Sequence, residues 1–445
     1  MPEHIAVIGS GMAGLASAWL CQGAGHRVKV FEAQRARGMD AHTLDIPQPD
    51  GAGWVDVPLR VMSPDAWGSV LALAAKVGAQ TFAMDIPVSC SWMNGETWLR
   101  SQRWQGLGLD MLGVGSWRYL HLKTWTVVKG LRKLRQVTRQ QRALDSDAKE
   151  SLADVLSREK FDPLFVRGLI LPLLATICTC REEYLWQWPA RPLLSLLDTI
   201  LHKRPLVRFK GGTRALVQGL TRDLAFCSGS SVTSVRSEGA QLRVSNARGD
   251  SELFDRVIVA TQANQCSFLD AEEFAREKSL LEEFTFDSGH LYVHSDPRLM
   301  PARPSDWVAL NYLMDKNLER SMFTVWVQAV EPSLRGGAPI FQSWNPLLEP
   351  DPALTQVALP LQRAVVTPAS TRALSKLEAL HQEQGRRLFF CGAWASEGVP
   401  LLESAVRSAL AVGRRLHIKS PLITAQALRS PTESPGLSQW HEVFS

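Results

Sequence analysis

The chain opens on an apolar run, Ile5-Ala-Val-Ile8, that breaks into Gly9-Ser-Gly-Met-Ala-Gly14 and resumes as an Ala- and Leu-rich stretch reaching Gly23. Four apolar residues without a polar interruption suit a central parallel strand covered on both faces, and the stretch after the glycines suits a helix stopped by Gly23 and Gly25. Arg27-Val-Lys-Val-Phe31 reads as a second strand, ending in Glu32. Beyond it, Ser63-Pro64 opens a helix from Asp65 to Val77, and the strands Val88 to Trp92 and Thr97 to Arg100 flank Asn94-Gly95, a strong hairpin turn. Gly106 to Gly113 reads as a flexible loop. Alternating or short apolar runs then predict strands at Ser231 to Arg236, Gln241 to Ser245, Glu252 to Asp255 and Arg256 to Thr261. Three more are expected at Leu291 to Val293, Trp307 to Tyr312 and Met322 to Val327. A last buried strand, from Leu388, runs into Gly392, and Glu403 to Leu410 opens a helix.

The opening strand, glycine turn and helix carry a specific chemistry. Gly9 permits a tight turn, Gly11 leaves room for a pyrophosphate to approach the backbone, and Gly14 lets the helix pack close to the strand. Ser10, Met12 and Ala13 lie where free amides and the positive end of the helix dipole meet a phosphate. Glu32 stands about twenty residues further on, where an acid takes ribose hydroxyls. The stretch therefore predicts a dinucleotide site.

Composition narrows the rest. With 445 residues, 45% of them apolar, the chain can fill two or three joined cores. A net charge of +5 spread over that length gives no reason to expect a nucleic-acid partner. No window reaches the roughly 18 uninterrupted apolar residues of a membrane span, and a cytoplasmic protein is expected. The seven cysteines suit reduced thiols, and Cys178-x-Cys180 has too few neighbours for zinc, so no metal is expected. One segment departs from the even charge: Trp117 to Arg142 holds eight Lys and Arg and no acid, interleaved with Trp, Leu and Val. It reads either as a solvated helix packed by an apolar stripe or as a peripheral contact with an anionic membrane.

After Glu32 comes Ala33-Gln-Arg-Ala-Arg37-Gly38-Met39. Together with the glycine turn, this resembles the FAD-dependent superfamily of flavin amine oxidases and phytoene desaturases. Within it, the chain is similar to a group of NAD/FAD-binding, amine-oxidase-like proteins whose bacterial members often accompany cyclopropane fatty-acid synthases. Gly38 matches the first glycine of the superfamily's Arg-x-Gly-Gly turn, while Ala36 and Met39 replace its Arg and second Gly. The resemblance implies an α/β fold: a Rossmann-like FAD domain from 1–62, 205–265 and 385–420, and an α+β substrate domain with a mixed sheet and a helical cap from 63–204 and 266–384. Residues 421–445 are expected to form a loose tail. Gly211-Gly212 would precede a helix capped by Thr213. Leu59 and Arg60, after Pro58, would return the backbone to the flavin; Val232 or Val235 would hold adenine through its backbone; Ala260 and Thr261 would end a strand beneath the cofactor. Gly392 with Ala393, and Glu403 with Ala405 and Val406, would present amides to the flavin, with Ala393 where the superfamily carries Asp.

The implied cofactor is FAD, and the implied activity is oxidation or desaturation of a small hydrophobic substrate, fatty-acyl or isoprenoid-like, by hydride transfer to flavin N5. Oxygen, a quinone or another carrier would take the electrons. Arg60 and Trp394 are the candidate catalytic residues, the first as a cation near the flavin or the substrate head, the second as an aromatic wall. Amine oxidation, redox-neutral lipid isomerisation and a non-catalytic flavoprotein remain as alternatives.

Overall fold

A computed structural model describes residues 1–40, 42–48, 51–106, 109–143, 150–202, 205–334 and 336–427. The apolar opening forms β1 (His4–Ile8), followed by α1 (Met12–Gly23) and β2 (Arg27–Glu32). β1 lies at the centre of a five-stranded parallel sheet, between β2 and Arg256–Val259, with Ala225–Ser228 and Leu388–Phe390 at the edges. Ile5, Ala6 and Val7 are fully buried, as a strand covered on both faces requires. α1 packs against the helix Leu402–Arg415, so sequence from both ends of the chain closes one core. A three-stranded antiparallel sheet, Val232–Glu238, Gln241–Asn246 and Ser251–Phe254, attaches to this layer.

The second lobe is built on an eight-stranded mixed sheet. Its order is Thr355–Val365, Thr285–His294, Phe341–Trp344, Ser321–Trp326, Leu310–Met314, Val88–Trp92, Thr97–Gly106 and Leu109–Val114. The helices between Leu122 and His202 cover its far half, around a core that includes Phe165, Leu174, Trp188 and Leu194. Among the described residues no helix is long and apolar enough to cross a membrane.

Four expectations are corrected. In the segment Gly106 to Gly113, expected as a loop, the described residues are strand: Thr97–Gly106 and Leu109–Val114 pair antiparallel. The helix expected from Asp65 begins at Gly68, because its first free amides, those of Ser69 and Val70, donate to the Glu403 carboxylate at 3.1 Å each. Thr213 does not cap its helix; its N–H and hydroxyl both donate to Asp56, at 3.0 and 2.9 Å, so the acceptor comes from 157 residues away. Part of the expected tail, Pro421–Ala427, is a helix with Leu422 and Ile423 buried against the helices Leu402–Arg415 and Gly68–Lys76. Residues 428–445 lie outside the described residues.

Candidate functional site

The glycine turn is fixed by contact distances. Gly9 has φ +100°, and a Cβ on Gly14 would stand 1.9 Å from the Gly9 carbonyl oxygen. At Gly11, by contrast, a Cβ would meet nothing within 4 Å, and this residue faces a large cavity. The turn is therefore tight where strand and helix touch and open where a phosphate would enter. Glu32 accepts from the Ser10 N–H at 2.9 Å and from the Ser10 hydroxyl, and its second oxygen accepts from Gln34 N–H at 2.8 Å. The Ser10 hydroxyl also accepts from Gly38 N–H at 2.8 Å, and a Cβ on Gly38 would come within 2.8 Å of the Ser10 carbonyl. Turn, acid and second glycine loop thus form one bonded unit at the end of β1. These residues fit a dinucleotide.

The remaining expected cofactor residues divide. Met12, Ala13, Leu59, Arg60, Ala260, Thr261, Gly392, Ala393 and Ala405 line the same cavity as Gly11. Ala33 and Arg37 lie exposed beside Glu32, with the Arg37 guanidinium 4.3 Å from the centre of the Phe226 ring. Val232 lies at an irregularity in its strand pairing. Glu403 and Val406 do not line the cavity: Val406 is fully buried, and Glu403 caps the helix Gly68–Lys76. Burial pushes the Glu403 carboxyl up, against the opposing pull of those amides and of the Arg407 charge. Trp394 does line the cavity, but its indole N–H donates to the Thr261 carbonyl at 3.0 Å and its ring meets Phe284 edge-on at 4.6 Å. It is a fixed wall.

From the glycine turn the cavity, about 990 Å³, runs into the second lobe. Its walls there are Ile86, Val88, Leu131, Leu173, Ile177, Leu291, Leu310, Phe323 and Val325, with Trp344 at 5% exposure and its indole nitrogen without a hydrogen-bond partner. Arg60 and Arg363 stand in this apolar lining. The side chain of Arg363, on the strand Thr355–Val365, makes no hydrogen bond or ion pair with any described residue, and its Nε is buried without a partner. Its cross-strand neighbour Asp287 is bonded to Arg181 instead, at 2.9 and 3.0 Å. Burial, helped by the Arg60 charge, pulls Arg363 down to about 10. An arginine kept cationic at neutral pH with no anion beside it is a receptive site for one.

Arg60 is placed by a buried network. Gln342 accepts from Leu59 N–H and donates to the Asp56 carbonyl, each at 2.8 Å. Arg208, 1% exposed, donates to the Arg60 carbonyl at 3.2 Å and to Glu331 at 3.0 Å, and lies 3.6 Å from Asp56. The sequence pointed to Arg60 but not to Arg363, and it assigned no role at the site to Gln342 or Arg208. Nothing in their local patterns separates them from ordinary strand residues; only pairing across the fold gives them their places.

A profile described as an NAD(P)-binding Rossmann-like domain matches residues 7–77. A putative L-amino-acid oxidase of Bacillus subtilis (strain 168) is 33% identical over 94 residues, covering 21% of this chain and 20% of that protein. The chain thus matches about a fifth of that relative's length. Two solved structures match almost throughout. The conjugated-linoleic-acid-producing fatty acid isomerase from P. acnes gives a TM-score of 0.64 at 14% identity, over 93% of this chain and 98% of that one. Putrescine oxidase bound to putrescine gives 0.60 at 13%, over 94% and 99%. By fold, then, the chain is similar to these two proteins over almost its whole length, with a Rossmann-like nucleotide-binding domain at its start.

Proposed function

We propose that this chain is an FAD-dependent oxidoreductase whose substrate is a long apolar molecule ending in a carboxylate or similar anion. The observation that carries the reading is Arg363, an unpaired cation beside Arg60 in an apolar cavity that reaches the dinucleotide turn. FAD, held by the Gly9–Gly14 turn, Glu32 and the Gly392–Ala393 segment, would supply a hydride acceptor. The chain's own residues do the rest. Arg60 and Arg363 bind the acidic head with charge-assisted hydrogen bonds. Leu173, Ile177, Leu310, Phe323 and Val325 hold the apolar body and exclude water, which fixes a C–H bond against the cofactor by position alone.

The same lining argues against a cationic amine. Four arginines (Arg60, Arg132, Arg135 and Arg363) face the cavity against one carboxylate, Asp85, and no lysine or histidine is among its described lining residues. A protonated amine would enter a field of its own sign. Isomerisation without net oxidation stays open beside desaturation, since the matched P. acnes protein acts on a fatty acid by isomerising it on this fold.

The test is turnover of a panel of long-chain acids, their methyl esters and aliphatic amines by flavin-loaded protein, read by product mass. Acids converted in preference to esters and amines support the reading. A product two hydrogens lighter denotes desaturation, and an unchanged mass with a moved double bond denotes isomerisation. Conversion of amines alone overturns it.

A further inference from the structure

The basic segment forms a short turn, Trp117–Tyr119, and a long helix, Leu122–Ala143. Its packing face is conventional: Thr124, Val127, Gly130, Leu134, Val137 and Gln141 are buried, and Gly130 sits so close to Phe165 that a Cβ would come within 2.3 Å of the ring. The opposite face is not. Trp117 is 80% exposed, Leu120 66%, Leu122 85% and Trp125 60%, four of the eight large hydrophobic side chains most exposed among the described residues. The turn that presents Trp117 and Leu120 is held from beneath, by the buried Tyr119 hydroxyl bonded to Asp306 and the Thr124 hydroxyl bonded to the Tyr119 carbonyl. These apolar groups are displayed by an anchored structure.

Leu122 and Trp125 begin a helical row that continues through Lys129, Arg132, Gln136 and Arg139, at successive spacings of three and four, all but the first two polar and all exposed. Lys129, Arg132, Arg135 and Arg139 make no ion pair with a described residue. Aromatic and leucine side chains at one end, cations along the same face and no acid from Trp117 to Arg142 match the surface of an anionic bilayer, where indoles sit among headgroups and lysines and arginines meet phosphates. The neighbouring flank of the helix, Val128, Leu131, Arg132 and Arg135, lines the cavity. Arg132 and Arg135 belong to both, so the charged face adjoins the cavity's edge.

We propose that this face docks the protein on an anionic phospholipid membrane, with Trp117, Leu120, Leu122 and Trp125 entering the headgroup layer and the cavity edge turned toward the lipid. The proposal rests on the helix surface and not on the cavity's chemistry, so either can fail alone.

The experiment is co-sedimentation of the full-length holoprotein with phosphatidylcholine vesicles, either pure or with one lipid in three replaced by phosphatidylglycerol. Binding to the anionic vesicles is expected to exceed binding to the neutral ones at least about tenfold, and to fall on raising salt from about 0.05 to 0.5 M. Two double variants separate the contributions. Lys129→Glu with Arg139→Glu lowers anionic-vesicle binding at least about tenfold. Leu122→Ser with Trp125→Ser lowers binding while leaving its salt dependence. Both pairs are exposed, so each variant keeps the wild-type melting midpoint and bound flavin, which shows that it is folded. Equal binding to the two vesicle types, no binding to either, or unaltered binding by both variants overturns the proposal. Retention on heparin without vesicle binding also overturns it, by assigning the face to a soluble polyanion.

Discussion

Arg363 is the side chain on which the proposed head-group site rests. Its pKa, pulled down to about 10, lies well below the ordinary arginine value because burial and Arg60 both oppose its charge. The unfolded chain therefore holds that proton more tightly, and the cost to stability is present at all pH values below about 10 and is relieved only as pH rises through that value. Arg363→Met removes the cost while keeping the volume. Its melting midpoint is expected to rise by about 2–4 °C, and its KM for a long-chain acid to rise at least about tenfold with the methyl ester unaffected. A midpoint that falls, or a KM unchanged for the acid, removes Arg363 from the head-group site. Arg60 was visible in the sequence because it follows Pro58 in a segment that resembles the one by which flavin amine oxidases return to their cofactor. Arg363 was invisible because a strand of alternating exposure, Thr355–Val365, offers no local sign that one position on its half-buried face, in line with Val357, Leu359 and Leu361, faces a cavity.

At the scale of elements, two buried histidines hold strands in place only while neutral. His381 Nε2 accepts from the Phe390 N–H at 3.0 Å, fastening the helix Pro368–His381 to an edge strand of the parallel sheet. His294 Nδ1 accepts from Asp296 N–H at 3.2 Å while its Nε2 meets the Ser343 hydroxyl at 2.9 Å. Burial lowers both to about 4 from 6.5. The unfolded state takes up these protons first, so stability is complete above pH 6.5 and is lost as pH falls toward 4. Melting midpoints measured across that range should show the decline, and His381→Gln, whose amide oxygen still accepts but does not titrate, should remove its share. An identical slope in the variant would contradict the assignment. Element types were legible wherever a local rule decides them: β1, α1, β2 and the Asn94-Gly95 hairpin. Boundaries failed where the deciding group is distant. Glu403 sets the start of the helix Gly68–Lys76, and Asp56 takes the capping duty expected of Thr213.

Across the molecule, the two lobes are joined beneath the site by Arg208, which reaches Asp56 and the Arg60 carbonyl on one side and Glu331 on the other. Removing the cation leaves two carboxylates buried without their partner. Arg208→Leu is expected to cost about 3–5 kcal/mol in urea unfolding and to lower retained flavin; a loss below about 1 kcal/mol would mean that the network does not couple the lobes. Four strands of the parallel sheet were readable because their apolar runs end in recognisable turns and the glycine spacing belongs to a known chemistry; the fifth, the short edge strand Ala225–Ser228, was not. The order of the eight-stranded sheet was not, since Val88–Trp92 pairs with Leu310–Met314 across more than two hundred residues and no turn specifies that pairing. Cavity and charge arise from that pairing. The central claim, a flavin at the glycine turn facing an anion-tipped apolar substrate, is tested most directly by anaerobic titration of the flavin-loaded protein with a long-chain unsaturated fatty acid, followed by absorbance. A saturable change in the flavin spectrum, bleaching for oxidation or a shifted band for binding before isomerisation, and its weakening in Arg363→Met, is the result expected. A protein that cannot be loaded with FAD, or a loaded one whose spectrum responds to aliphatic amines and not to acids, would contradict it.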